Sequence, residues 1–518
     1  MHSLKINKLR LFLKSTSLII IFVLSGITVL HGHSGKASFH IVIDTDAALD
    51  DLRAISLFLA SPEFEILAIT ASDGALSPEK GLVKIKALLR SFGHEGIPTG
   101  RGNVVQEKAP SWRSFCQKVR WGNEESAKIK VEIFSVDVIL SAIEGEDEPV
   151  TIVCLGGLTN IAGALTVRPQ IIDRILKIVW YNDSAKPLSG TNYEIDRKAA
   201  QAVVSSGVPL EVVSNSGKDA FVFDAQILQS INAVHSPYGE KISTTHSDES
   251  VMERIESGHL KLWDDLLPVY LLYPDLFDKE IIMRDDRLKQ FSIRNVDEIK
   301  IKFLEILKSR NDVKSLVFKG FPDMPELYAD DVRPFMKRII QKYGKEEWRI
   351  GVLTNELHGH LGIYSIIGAK MGMRARQYFN IGVDDISIVS YAGSTPPLSC
   401  MNDGLQVSTG GTVGHGLFSV SSEPPYRPEA AITFKGRTIH IRLKDQYWDS
   451  VKADIQKGVE LHGSGTENNW KYVRRLAIKY WLEWDRREIF ILKKVEKEIS
   501  PVPTFSLKNS EESLVSLR

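Results

Sequence analysis

The sequence predicts an α/β protein: an open, mostly parallel sheet with helices on both faces, followed by a smaller α+β domain. Two observations carry this expectation. Apolar runs suited to buried strands (39–43, 64–69, 150–155, 175–181 and 210–213) alternate with segments of helical period. The character then changes near Arg349, where a glycine-rich stretch with histidines leads to a helix, a strand reading ISIVSY and a hairpin-like AAITFKGRTIHIRL. A chain of 518 residues also has length for two or three cores.

The first element is a targeting segment. Lys5, Lys8, Arg10 and Lys14 precede an uncharged run from Ser17 to Leu30, a basic region followed by an apolar one too short for a comfortable bilayer span. Residues 1–36 are therefore expected to direct export to the periplasm or exterior. The stretch VLHGHSGKAS is a poor cleavage site, so a membrane anchor stays open as the alternative. Next come the strand FHIVID and a helix with Leu52, Ile55 and Leu59 at helical spacing, stopping before Pro62. LGGLTNIAGALTVRP gives a helix ending near Pro169, and DRKAAQAVVSSGVP gives another with Gly207 as its stop. DEIKIKFLEILKSR and DDVRPFMKRIIQKYG close the first domain and lead to the second. NWKYVRRLAIKYWLEWDRREIF reads as the last helix, before a polar tail with the composition of disorder. The expected organisation is 1–36 signal or anchor, 37–310 first domain, 311–345 helical connection, 346–500 second domain and 501–518 disordered tail.

Charge narrows the function. Lys and Arg number 65, as do Asp and Glu, so the net charge is zero and no basic stripe suits a nucleic acid. A small-molecule partner is expected instead, while membrane association through the N-terminal segment and a homo-oligomer stay open. Cys116, Cys154 and Cys400 are too few and too scattered for a disulfide framework.

The densest chemistry is in DTDAALDD, which places Asp44, Asp46, Asp50 and Asp51 within eight positions. In an open parallel sheet, ligands sit beyond the carboxyl ends of the strands. Asp46 lies on the loop leaving the first strand and Asp50 and Asp51 open the next helix, so the cluster is placed at such a site. Crowded carboxylates disfavour one another's charge unless a cation sits among them, and their hard oxygens select Ca²⁺ or Mg²⁺. A plain helix cap and loop explains one aspartate but not four. An Asp-x-Asp phosphatase of the haloacid dehalogenase type wants Thr or Val where this chain has Ala48, and lacks the Asp50–Asp51 pair.

DTDAALDD resembles the Asp-Thr-Asp-x-Gly-x-Asp-Asp signature of the inosine/uridine-preferring nucleoside hydrolases. VTIVCLGGLTNIAGAL, TNYEIDRKAA and WDDLLPVYLLYPDLF are similar to further family segments in the right order, so the resemblance covers roughly 37–307. It implies Ca²⁺ held by Asp46, Asp51, Asp264 and the backbone carbonyl of Leu155. It also implies Asp46 as general base for a calcium-bound water, and Asp50 and Asn192 as ribose contacts. The sequence departs from the pattern at Ala48, at ITASDGALS, where a ribose-binding Asn has no counterpart, at Gly190, and at Trp263, where a leaving-group His is usual.

NELHGHLGIYSIIGAKMGMRARQYF and CMNDGLQVSTGGTVGHG resemble the E-subunit-like domain of the formylmethanofuran dehydrogenases over roughly 348–490. His-x-His in an extended segment shares a face and can chelate one metal, although two loop histidines are the plainer explanation of the pair alone. The resemblance implies a Zn²⁺ site from His358, His360 and Cys400, with His415 as a further candidate. Gly362, Gly411 and His415 replace residues of the family pattern. The functional expectation is Ca²⁺-dependent hydrolysis of the N-glycosidic bond of a ribonucleoside or related N-riboside, giving free base and ribose, with an appended metal-binding domain. The alternative is a non-catalytic protein that binds a metal or small molecule.

Overall fold

The computed structural model describes residues 37–495, apart from 107–108, 128–132, 216–219, 235, 283–286, 309–316, 318–319 and 384–385. The expected signal or anchor at 1–36 and the expected tail at 501–518 lie outside the described residues. Among the described residues no helix is long and apolar enough to cross a membrane.

The first sheet is built from β1 (Phe39–Thr45), β2 (Phe64–Ala71), β3 (Thr99–Arg101), β4 (Val150–Cys154) and β5 (Ile175–Tyr181). After a two-stranded ribbon of β6 (Ser184–Ala185) and β7 (Leu188–Ser189), β8 (Leu210–Ser214), β9 (Phe277–Ile281) and β10 (Leu288–Ile293) complete it. The order is β3-β2-β1-β4-β5-β8-β10-β9, parallel throughout except for β9 against β10. Ile41, Val42 and Ile43 on β1 are fully buried, as a strand covered on both faces must be. Register places Asp44 opposite Thr70 on β2 and Cys154 on β4, so the loops leaving β1, β2 and β4 meet at one end of the sheet.

The five expected strands are present, and β3, β9 and β10 are additions. β3 has only three residues, and β9 reads FDKEI with four exposed positions, so neither carries an apolar pattern. Helix Leu49–Ala60 is buried along its whole length, charged residues included, because it lies inside the domain. Helices Thr159–Val167, Arg197–Ser205 and Val296–Lys308 follow the expected segments.

The second sheet contains β11 (Ser387–Ser390), β12 (Phe418–Val420), β13 (Glu429–Phe434), β14 (Arg437–Leu443) and β15 (Phe490–Val495). Its order is β12-β11-β13-β14-β15, antiparallel except for β11 with β12. Helices Lys345–His358, Ile363–Phe379 and Glu467–Glu483 pack around a core with stacked Trp348 and Trp481. The expected last helix ends at Glu483 rather than running to Phe490. Asp485 accepts hydrogen bonds from the Arg487 backbone and guanidinium and closes a turn that sends Phe490–Val495 into the sheet as β15. The β13–β14 turn reaches the first domain, where Lys435 Nζ lies 2.7 Å from Glu146 and 3.0 Å from Glu65.

Candidate active site

Local backbone chemistry shapes the loop after β1. Ala47 has φ +58°, a left-handed conformation unusual for a residue with a Cβ, and its N–H donates to Thr45 Oγ1 at 3.0 Å. Asp46 Oδ2 accepts from the Ala75 N–H at 2.9 Å. Gly74 makes that approach possible, since a Cβ there would lie 2.0 Å from the same oxygen. One turn on, Asp51 Oδ1 accepts from the Ala48 N–H at 2.9 Å and ties off the helix N-terminus.

Asp264 comes from a distant loop and is brought in by its neighbour. Asp265 forms a fork with Arg53 on helix Leu49–Ala60, at 2.9 Å to Nε and 2.7 Å to Nη2. Both side chains are fully buried. Arg53 also donates to the Lys261 carbonyl at 3.0 Å, lies 3.1 Å from His246 Nε2, and covers the Phe223 ring. Burial and the Arg53 charge push His246 well below its usual range, so Nε2 accepts there while Nδ1 donates to the Ile242 carbonyl.

Asp46, Asp50, Asp51 and Asp264 thereby line one cavity of about 440 Å³, with Leu155 and Asn192 beside them. Burial, then the charges of Asp46, Asp264 and Asp50, push the Asp51 carboxyl well up; burial, then Asp50 and Asp46, do the same to Asp264. Asp51 Oδ2 and Asp264 Oδ1 are buried without a hydrogen-bond partner. Asp44 is not a cavity residue. Its Oδ1 accepts from Thr70 Oγ1 at 2.6 Å and Asn160 Nδ2 at 2.8 Å, tying β1 to its neighbours, and burial pushes it up to about 7.

Asn192 Nδ2 donates to the Leu155 carbonyl at 2.8 Å and the Tyr181 carbonyl at 3.0 Å. Its amide nitrogen is thus engaged by backbone, and only Oδ1 is left for a ligand. In ITASDGALS, Asp73 occupies the segment where a ribose-binding Asn was absent. It accepts from the Val105 and Gln106 N–H groups and from Arg113, and so organises the loop wall. Sequence reasoning missed Trp112, Phe115, Cys116, Asp183, Arg254 and His259, all of which line the cavity. They come from separate segments without a motif, and aromatic residues near a glycine-poor loop are too common to single out.

The metal donor sets differ from expectation in closeness. Among the described residues, the one group of three His, Cys, Asp or Glu side chains whose ligand atoms all lie within 4.8 Å is His40, Glu65 and Glu146. It sits at the opposite end of β1, and the Lys435 ammonium already bridges its two carboxylates. The aspartates of the cavity are more loosely arranged than that, yet their orphaned oxygens and hard donor chemistry fit a divalent cation with oxygen ligands. His358, His360 and Cys400 also do not close to that distance. His358 Nδ1 is 2.6 Å from Asp403 Oδ2, its Nε2 is buried without a partner, and the His360 ring lies 4.3 Å away, centroid to centroid.

Residues 41–339 match the family model for inosine-uridine preferring nucleoside hydrolase, and residues 357–491 match that for FmdE, molybdenum formylmethanofuran dehydrogenase operon. The chain is similar to the pyrimidine-specific ribonucleoside hydrolase RihA of Escherichia coli, 31% identical over 184 residues, which are 33% of this chain and 58% of that relative. The match thus spans little more than half the length of the curated relatives. Among solved structures, a purine-preferring ribonucleoside hydrolase from Gardnerella vaginalis aligns at 19% identity and TM-score 0.45, covering 52% of this chain and 98% of that one. An inosine-uridine preferring nucleoside hydrolase from Bacillus anthracis aligns at 16% identity and TM-score 0.44, covering 52% and 99%.

Proposed function

Since the chain belongs to the inosine-uridine preferring nucleoside hydrolase family, with an FmdE-like domain fused behind it, we propose that it hydrolyses the N-glycosidic bond of a ribonucleoside or related N-riboside to free base and ribose. One observation carries the reading: four buried aspartates share one end of a cavity, and two of their oxygens have no partner. Such a cluster is unfavourable without a cation, and it suits a reaction that passes through a positively charged sugar.

We assign Asp46, Asp51, Asp264 and the Leu155 carbonyl to a Ca²⁺ ion. When bound, the ion supplies positive charge that makes a neighbouring water more acidic and orients sugar hydroxyls. Asp46, its Oδ2 fixed by the Ala75 N–H, takes the proton from the attacking water. Asp50 accepts a hydrogen bond from a ribose hydroxyl, and Asn192 offers Oδ1 to another. The negative field of the four carboxylates stabilises the oxocarbenium-like sugar as the bond to the base breaks.

A panel of purine and pyrimidine nucleosides, assayed for ribose release with Ca²⁺ and with chelator, tests the reading. Release that is lost with chelator and in Asp46→Ala supports it. No release from any nucleoside by the Ca²⁺-loaded protein sinks it and favours the non-catalytic binding protein. For the second domain, we propose that His358 Nε2, oriented by Asp403 at Nδ1, is the principal donor for Zn²⁺, with His360 and Cys400 completing the set. Zinc content unchanged in Cys400→Ala removes that cysteine from the assignment. We also propose export through residues 1–36, which cell fractionation checks.

A further inference from the structure

Charges of both signs line the cavity and differ in depth. Asp46, Asp50, Asp51 and Asp264 are buried, while Arg254 is half-buried and His259 exposed, on and just after helix Glu249–Glu256. Trp112, Phe115 and Trp263 add aromatic lining. The Arg254 guanidinium sits 3.9 Å over the Phe115 ring centroid, and among the described residues no carboxylate forms an ion pair with it. Its segment is held in shape, because the Arg254 carbonyl accepts from the His259 N–H at 3.0 Å and from Ser257 Oγ at 3.2 Å. Cys116 feels both signs of charge: after burial, Asp46 and Asp50 push its thiol up, and Arg254 opposes them.

This polarity matches the charge separation of riboside cleavage. As the C1′–N bond breaks, its electron pair stays with the departing ring and positive charge grows on the sugar. Water then adds its oxygen to C1′ and gives a proton to Asp46, the departed ring takes a proton from solvent and Asp46 returns one to it, so the products are ribose and neutral nucleobase. A ring leaving toward Arg254 meets a cation seated on an aromatic face. Trp263, which also lines the cavity, carries an indole N–H too weakly acidic to serve as a general acid.

Resting on the riboside-hydrolysis reading, we propose that Arg254 is the aglycone-contact residue that stabilises the negative charge on the departing ring. The favoured substrates are then ribosides whose planar aglycone departs as an anion, held between the aromatic wall and the guanidinium. An unpaired guanidinium is worth more here than at an open surface because the cavity is partly desolvated.

The test compares wild type, Arg254→Met, Arg254→Lys and His259→Gln on inosine, uridine and 4-nitrophenyl β-riboside, whose phenolate is already a stabilised anion. Arg254→Met keeps the packing over Phe115 without the charge. It is expected to lose roughly 10²-fold in kcat/KM on the nucleosides, the scale for removing one stabilising donor, and much less on the nitrophenyl riboside. Arg254→Lys should recover part of the loss. Equal losses on all three substrates, or none, overturn the proposal. A selective loss in His259→Gln with the alkaline limb of the pH profile removed, and none in Arg254→Met, overturns it in favour of a histidine proton donor. Calorimetric binding of orotate against neutral uracil separates this failure from failure of the parent reading. Orotate should weaken about tenfold in Arg254→Met while uracil is unaffected, even if wild type hydrolyses no riboside; equal binding of orotate by both proteins refutes the role.

Discussion

Replacing Asp265 with alanine removes the fork that holds Arg53 and leaves its guanidinium fully buried, with only His246 and the Lys261 carbonyl as polar partners. Breaking a buried pair by removing one member costs about 3–5 kcal/mol, most of it the penalty of an uncompensated charge. Asp50 and Asp264 lie near enough to attract Arg53, so the lower end, about 3 kcal/mol, is expected. Urea unfolding in chelator, followed by tryptophan fluorescence and circular dichroism, measures it without contributions from bound ions. The first-domain core contains Trp121 and the second Trp348 and Trp481, so only the transition of the first should move if the two resolve. Arg53→Met in the same background removes the stranded charge, and the double variant should be more stable than Asp265→Ala alone. A loss below about 1 kcal/mol for Asp265→Ala, or a double variant as costly as the sum of the singles, refutes the argument that the pair is a buried clamp.

Gly74→Ala puts a Cβ 2.0 Å from Asp46 Oδ2 and displaces the proposed base, so ribose release should fall at least about tenfold; circular dichroism should stay native. Asp51→Asn relieves carboxylate crowding and should raise the metal-free melting temperature by a few degrees, on the order of 1 kcal/mol, while abolishing the rise that Ca²⁺ gives to wild type. His40 is held above its ordinary 6.5, chiefly by the Glu146 carboxylate 3.5 Å from its Nδ1 and then by Glu65. A raised histidine contributes stability that is complete below about pH 6.5 and is lost as pH rises through the elevated value. His40→Gln should flatten that decline in urea titrations at several pH values, and an unchanged slope would remove the histidine from the cause.

Legibility in the sequence followed the range of the interaction. β1, β2, β4, β5 and β8 were readable because a strand largely buried on both faces is a mostly apolar run. β9 was not, since a charged edge strand lacks that signal. Asp46, Asp50 and Asp51 were readable as a group because one loop and one helix turn hold them together. Asn192 was placed beside the cavity, yet its orientation toward the Leu155 and Tyr181 carbonyls depends on where two other strands end.

By itself the sequence determined an α/β layout, a second sheet domain, and a crowded carboxylate loop. These follow from local periodicity and from charges that cannot move apart along a short stretch of chain. Tertiary structure alone decided that Asp264 is delivered by a buried Arg53–Asp265 fork, that Lys435 bridges Glu65 and Glu146 beside His40, and that Arg254 and the aromatic side chains line the same cavity as the aspartates. The reason is geometric. Parallel crossovers bring distant loops to the same end of the sheet, and which side chains meet there depends on strand order and register, neither of which leaves a mark on the local sequence.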